Sequence, residues 1–140
     1  MQFTKDISMI SRYLRRQRNA YMEPLGLKSI HARYLMEVCQ TPGLSQDALV
    51  QLLGFDKSGI ARHAAYLEEE GYLERRPGKD KRVLHLYPTE KTLQLYPKMQ
   101  EAMNQWESTL LQGLSAENRN TLKQLLAQVR RVAEQEEVYG

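Results

Sequence analysis

Three histidines, His31, His63 and His85, and one cysteine, Cys39, are the residues of this chain best suited to metal or nucleophilic chemistry, and their spacing serves neither. None clusters with another or with a carboxylate at metal-ligand intervals, so no metal site is expected. There is no Gly-x-Ser-x-Gly, no glycine-rich phosphate loop and no His-Glu-x-x-His, and hence no nucleophile and base from which to build an enzyme, nor a reason to expect a cofactor. A lone cysteine excludes an intramolecular disulfide and suits a reducing compartment. Cys39 sits near the end of an apolar segment with no adjacent cation to lower its pKa, which points to an inert buried thiol, with a redox sensor as the alternative.

What remains is charge. The net charge of +3 and an isoelectric point near 9.0 are mild, but the cations are unevenly placed. Arg12, Arg15, Arg16 and Arg18 crowd one segment. Arg75, Arg76, Lys79, Lys81 and Arg82 crowd another, with Asp80 among them, and Glu68, Glu69 and Glu70 gather between. Local concentrations of this kind can serve a polyanion even when the average is near neutral, although a charged run is also compatible with a plain solvated face.

The periodicity shows which elements would carry those charges. At 140 residues, 41% hydrophobic and 26% charged, the chain fits a single domain, residues 1–140. No leader-like start or bilayer-length apolar run is seen, so a cytoplasmic protein with no membrane partner is expected. Ile7, Ile10, Leu14 and Tyr21 predict a helix over residues 4–22. A second, with Ser29 as its cap and Ile30, Tyr34, Leu35 and Val38 on one face, closes at Thr41-Pro42-Gly43. Ser45 can cap a short helix ending at Gly54, and Asp56 can cap the next, whose inner stripe is Ile60, Ala64 and Leu67. Two short helices joined by a glycine turn are a helix-turn-helix candidate. From Tyr72 the period changes to that of strands, 72–76 and 82–87, forming a hairpin with a charged tip. Thr89 can cap a long helix carrying Met99, Met103, Trp106 and Leu110, with Pro97 delaying or kinking its regular part. Ser115 can cap a last helix with Leu122, Leu125, Leu126, Val129 and Val132 on one side. The expected fold is mainly α with a small β-hairpin wing, a winged helix-turn-helix lobe at 29–91 flanked by helices at 1–24 and 92–140. Their apolar stripes look like a subunit interface, so a homodimer is expected.

In such a module the exposed residues at the start of the second short helix, Lys57, Ser58, Gly59, Arg62 and His63, lie opposite its buried stripe and can reach bases or phosphates in a major groove. Gly59 and Ala61 are small enough for a close approach to DNA or for plain helix packing. A hairpin tip bearing Lys79, Lys81 and Arg82 presents cations to a minor groove. Double-stranded DNA is therefore the expected partner, with Ser45 and Arg76 at the edges of the contact surface.

From Ser45 to about Thr92 the chain resembles the MarR (multiple antibiotic resistance regulator) family of winged helix-turn-helix transcriptional regulators. The resemblance rests on the apolar spacing of the first short helix, Arg62 in the second, Leu-Glu-Glu-x-Gly-x-Leu at 67–73, Glu74-Arg75-Arg76, the wing motif Asp80-Lys81-Arg82 and Thr-Glu-Lys at 89–91. It implies that Asp80 holds the wing by pairing with arginine while Arg82 reaches the minor groove. It also implies a dimer on a pseudo-palindromic operator, acting as a repressor with an activator as the alternative, and release by a small phenolic or aromatic effector in a cleft, for which Tyr13, His31, Tyr34 and Trp106 are the aromatic candidates. Thr92 stands where the family often has glycine, and the cluster Arg12 to Arg18 matches nothing in the family pattern. Two other functions fit the same residues: a winged-helix module that binds protein, and a thiol-sensing regulator acting through Cys39.

Overall fold

The computed structural model describes residues 1–139. Six helices and a small sheet follow in the order α1 (Gln2–Met22), a 3-10 turn (Glu23–Leu25), α2 (Ser29–Gln40), β1 (Leu44–Ser45), α3 (Gln46–Leu53), α4 (Lys57–Glu69), β2 (Leu73–Pro77), β3 (Leu84–Pro88), α5 (Glu90–Leu110) and α6 (Ala116–Tyr139). The expected class, mainly helical with a small wing, is the one observed. The sheet has three strands rather than the expected two. β3 pairs antiparallel with β2, from Leu73 opposite Pro88 to Pro77 opposite Leu84. On its other side β3 pairs with the two-residue β1, Leu44 opposite Leu86 and Ser45 opposite His85. A strand of two residues carries no readable alternation, which is why β1 leaves no trace in the sequence pattern.

Two compact units divide between Met103 and Asn104. The core of the first unit is built from the buried stripes of α2, α3 and α4: Leu35 and Val38, Leu49, then Ile60, Ala64 and Leu67. Leu73 and Leu86 of the sheet and Met22 and Met99 of the flanking helices complete it. Each such side chain removed from water contributes about 1.5–3 kcal/mol. Met99, expected on an open interface stripe, is thus fully buried in this core, with Met103 packed against it. In the second unit, Arg119 closes the turn before α6 by donating from Nε to the carbonyls of Leu111 and Leu114, each at 3.1 Å.

Capping follows the expected positions at three of five places. Ser45 Oγ accepts from the Ala48 amide at 3.0 Å, Asp56 Oδ1 from the Gly59 amide at 2.6 Å and Ser115 Oγ from the Asn118 amide at 3.1 Å. Ser29 is not a cap: it is the first residue of α2, and its amide donates to Asn19 Oδ1 of α1 at 3.0 Å. Thr89 is not one either, because its hydroxyl donates backward to the Gly71 carbonyl at 2.7 Å. Both positions are claimed by a packed neighbour, which a cap rule based on local sequence does not include. α5 continues through Pro97 as an unbroken helical span.

Candidate nucleic-acid interface

α3 and α4 form the helix-turn-helix. Gly54 ends α3 at φ +74°, a left-handed conformation that glycine adopts without the penalty a Cβ would bring. α4 then begins at the Asp56 cap. On its exposed side stand Lys57, Ser58 and Arg62, and on its buried side Ile60, Ala64 and Leu67. Lys57 lies 3.7 Å from Asp47 across exposed surface, a pairing too solvated to hold the lysine from a competing anion.

Two of the expected contact residues play other parts. His63 does not face outward with Arg62. It is half-buried, with Nδ1 2.8 Å from the Tyr34 hydroxyl. Gly59 is buried, and a Cβ placed on it would stand 2.8 Å from Asp56 Oδ1. Its small size therefore leaves room for the cap of α4.

The wing is the β2–β3 hairpin. At its tip Lys79, Lys81 and Arg82 are exposed. Asp80 Oδ1 accepts from the Arg82 amide at 3.0 Å and from its Nε at 3.2 Å, with Oδ2 3.4 Å from Nη2. These bonds hold the Asp80 carboxyl below its ordinary pKa and keep the tip folded on itself while the Arg82 side chain stays 91% exposed. The wing root is fixed by His85, whose Nδ1–H donates to the Gly43 carbonyl at 2.8 Å, tying β3 to the turn before β1.

Not every cation of the basic segment is free to meet an anion. Arg75 donates from its amide and Nε to Glu68 at 2.9 and 3.0 Å, joining β2 to α4. Arg76 donates to Glu74 at 2.9 Å and lies 4.4 Å above the Tyr87 ring. Glu74 raises the Arg76 pKa and is itself lowered in return. The exposed cations that can meet a ligand include Lys57 and Arg62 on α4 and Lys79, Lys81 and Arg82 on the wing, with Arg76 beside them in a solvated pair of the same kind as that of Lys57. Ser45 is spent as a cap.

Residues 25–83 match the model of the MarR family. Over 136 residues the chain is 29% identical to YybA, an uncharacterised helix-turn-helix-type transcriptional regulator of Bacillus subtilis strain 168, covering 96% of this chain and 91% of that one. A MarR family transcriptional regulator of Listeria monocytogenes, solved as a complex with 26mer DNA and described as putative, superposes with a TM-score of 0.88 at 28% identity, covering 97% of this chain and 91% of that one. The transcriptional regulator SlyA superposes with a TM-score of 0.86 at 28% identity, over 97% and 96%. The match to the MarR family model thus spans α2, the helix-turn-helix and the start of the wing, and the fold similarity extends over nearly the whole chain. The departure of Thr92 from the family's pattern has a structural account: the side chain is fully buried and its hydroxyl donates to the Tyr72 carbonyl at 2.6 Å, docking the start of α5 beside the sheet.

The aromatic effector candidates differ in their surroundings. Tyr34 is fully buried in the core, and His31 stacks on Tyr66 at 4.8 Å. Tyr13 is exposed on α1, and Trp106 lies in the second unit. A cavity of about 140 Å³ lies among Arg18, Met22, Ser29, Ala32, Arg33, Met36 and Met103. Burial and the neighbouring Arg33 charge lower the Arg18 pKa. Sequence pattern missed this cavity because Arg18 reads as one more member of a surface cluster, and its three neighbours Arg12, Arg15 and Arg16 are indeed exposed. Among the described residues no group of three or more His, Cys, Asp or Glu side chains could hold a metal ion. No described helix is long and apolar enough to cross a membrane.

Proposed function

We propose that this protein is a homodimeric, sequence-specific regulator that binds a pseudo-palindromic DNA operator, with α4 in the major groove and the β2–β3 wing in an adjacent minor groove. The observation that carries this reading is the pairing, in one compact unit, of the outward Lys57, Ser58 and Arg62 on α4 with a wing tip whose Lys79, Lys81 and Arg82 are exposed. Base edges call for long donors on a helix, and the minor groove calls for an arginine held at a narrow tip. The DNA complex of the Listeria relative supports the same partner here. Dimerisation is supported by apolar side chains left in water: Phe3, Ile7 and Ile10 on α1, and Leu125, Leu126, Val129 and Val132 on α6. Surfaces of this kind are normally covered by a second subunit, and paired recognition helices then fall about one helical turn of DNA apart.

The regulator would act as a repressor by occupying its operator in the cytoplasm. A small aromatic effector would release it, and the cavity lined by Arg18, Met22, Met36 and Met103 offers that effector a largely apolar place to bind. Selection of bound duplexes from a random pool, with light scattering on the same sample, tests the reading. A two-fold symmetric consensus bound by a dimer is expected. A monomer, or a pool that yields no consensus, would overturn it and favour a protein-binding winged helix.

A further inference from the structure

α4 is seated on α2 through an aromatic cluster centred on His63, the residue that follows Arg62. The His63 ring stands nearly perpendicular to three others: Tyr34 at 5.4 Å, His31 at 5.8 Å and Phe55 at 6.2 Å. The Tyr34 hydroxyl meets its Nδ1 at 2.8 Å, and His31 stacks on Tyr66 one helical turn further along α4. Neighbouring residues of a helix diverge by about 100° around its axis, so the rotation that brings His63 to Tyr34 also sets where Arg62 points.

The surroundings of the two imidazoles share one sign. From α4, Arg62 acts on His63. His31 feels His63 of α4 and Lys28, which precedes α2, while Tyr34 feels Arg33 of α2 and Arg62 of α4. No carboxylate is among these charges. Burial first, and then those cations, lower both histidine pKa values, while burial pushes Tyr34 up to about 12. Tyr34 thus keeps its proton at physiological pH, and in the Nε2–H tautomer of a neutral His63 its O–H donates a hydrogen bond to Nδ1. Once His63 is protonated, its Nδ1 becomes a donor and the hydroxyl has to turn round. A cation would then stand half-buried beside a second imidazole and among arginines.

We propose that His63, clasped by Tyr34 and paired with His31, is a proton-sensitive positioning residue of the recognition helix. Neutral, it fixes the rotation of α4. Protonated, it loosens α4 from α2 and operator discrimination falls. The proposal rests on the reading of α4 as the operator-reading helix, but its test is partly independent of DNA.

The full-length protein is titrated from about pH 7.5 to about pH 5.5, the span in which histidine charge changes. Imidazole NMR signals and amide hydrogen exchange in α4 are followed without DNA, and binding to the selected operator and a scrambled duplex is followed with it. As pH falls, α4 exchange protection should drop and preference for the operator over the scrambled duplex should fall several-fold. His63→Asn offers Tyr34 an acceptor that does not titrate, so with His31→Asn it should keep the preference at the higher pH and lose its pH dependence. Tyr34→Phe should lower the preference several-fold at the higher pH already. Parallel tightening on both duplexes with falling pH would be phosphate attraction alone and would overturn the proposal, as would pH dependence that survives in the double variant. If neither duplex binds at the higher pH the DNA reading fails, and α4 exchange still decides the latch: protection that does not change with pH in the wild type would overturn it.

Discussion

Gly59 and Asp56 should be coupled, and the size of the coupling can be worked from the start of α4. Asp56 Oδ1 accepts from the Gly59 amide at 2.6 Å, and the same oxygen would be 2.8 Å from a Cβ added to Gly59. Once that carboxylate is gone, the nearest remaining neighbour of the added methyl is Arg62 Nη2 at 3.9 Å, an ordinary contact. Asp56→Ala alone forfeits the cap at a cost of about 1 kcal/mol. Gly59→Ala in the native background gains roughly 0.5–1 kcal/mol of helix preference but displaces the cap, which costs about as much. The net change should be close to zero or destabilising. In the Asp56→Ala background there is no cap left to displace, so the same substitution should stabilise by roughly 0.5–1 kcal/mol. The cycle therefore predicts a coupling energy of about 1 kcal/mol, beyond the ~0.3–0.5 kcal/mol within which independent sites add. Urea unfolding of the four proteins at one fixed protein concentration measures it, the concentration being held because subunit association contributes to stability. Additive changes would refute the assignment of Gly59 to the cap.

Stability should depend on pH in a direction set by His31 and His63. Both have folded-state pKa values lowered from the ordinary 6.5, so their contribution is present above that value and is lost as pH falls through the lower folded values; urea midpoints should decline on acidification and stay flatter in His31→Asn/His63→Asn. Cys39 should be a poor nucleophile, since burial raises its pKa; slow alkylation of the folded protein near neutral pH, and DNA binding by Cys39→Ser that responds to peroxide as wild type does, would bear this out, whereas peroxide release confined to wild type would contradict it. Asp80→Ala should weaken binding mildly through loss of the wing bonds at 3.0–3.4 Å, although removing a carboxylate near phosphates acts in the opposite direction; tighter binding in a duplex titration would show that the pairing with Arg82 does not orient it.

The elements that position the interface were legible because each rests on strong local signals. Ser45 and Asp56 as caps, Gly54 as a left-handed terminus and the stripe Ile60, Ala64, Leu67 depend on neighbours within a few residues. What escaped depends on contacts between distant segments. His63 shares a helix with Arg62 and reads as one more polar residue beside it, yet its ring is claimed by Tyr34, 29 positions away. Arg75 reads as part of a basic wing until Glu68 takes it. Ser29 and Thr89 have cap chemistry but are drawn to Asn19 and Gly71. The cavity beside Arg18 needs α1, α2 and α5 together, and no single stretch of sequence reports it.

Affinity for the selected operator and a scrambled duplex, measured at several salt concentrations for wild type, Arg62→Ala and Arg82→Ala, tests the central claim most directly. Wild-type affinity should fall steeply with salt, as phosphate neutralisation requires. Arg62→Ala should cost about 1–3 kcal/mol on the operator and little on the scrambled duplex. Arg82→Ala should weaken both duplexes and reduce the salt slope by about one. A shallow wild-type salt dependence, or binding unchanged in both variants, would contradict the assignment of α4 and the wing to DNA.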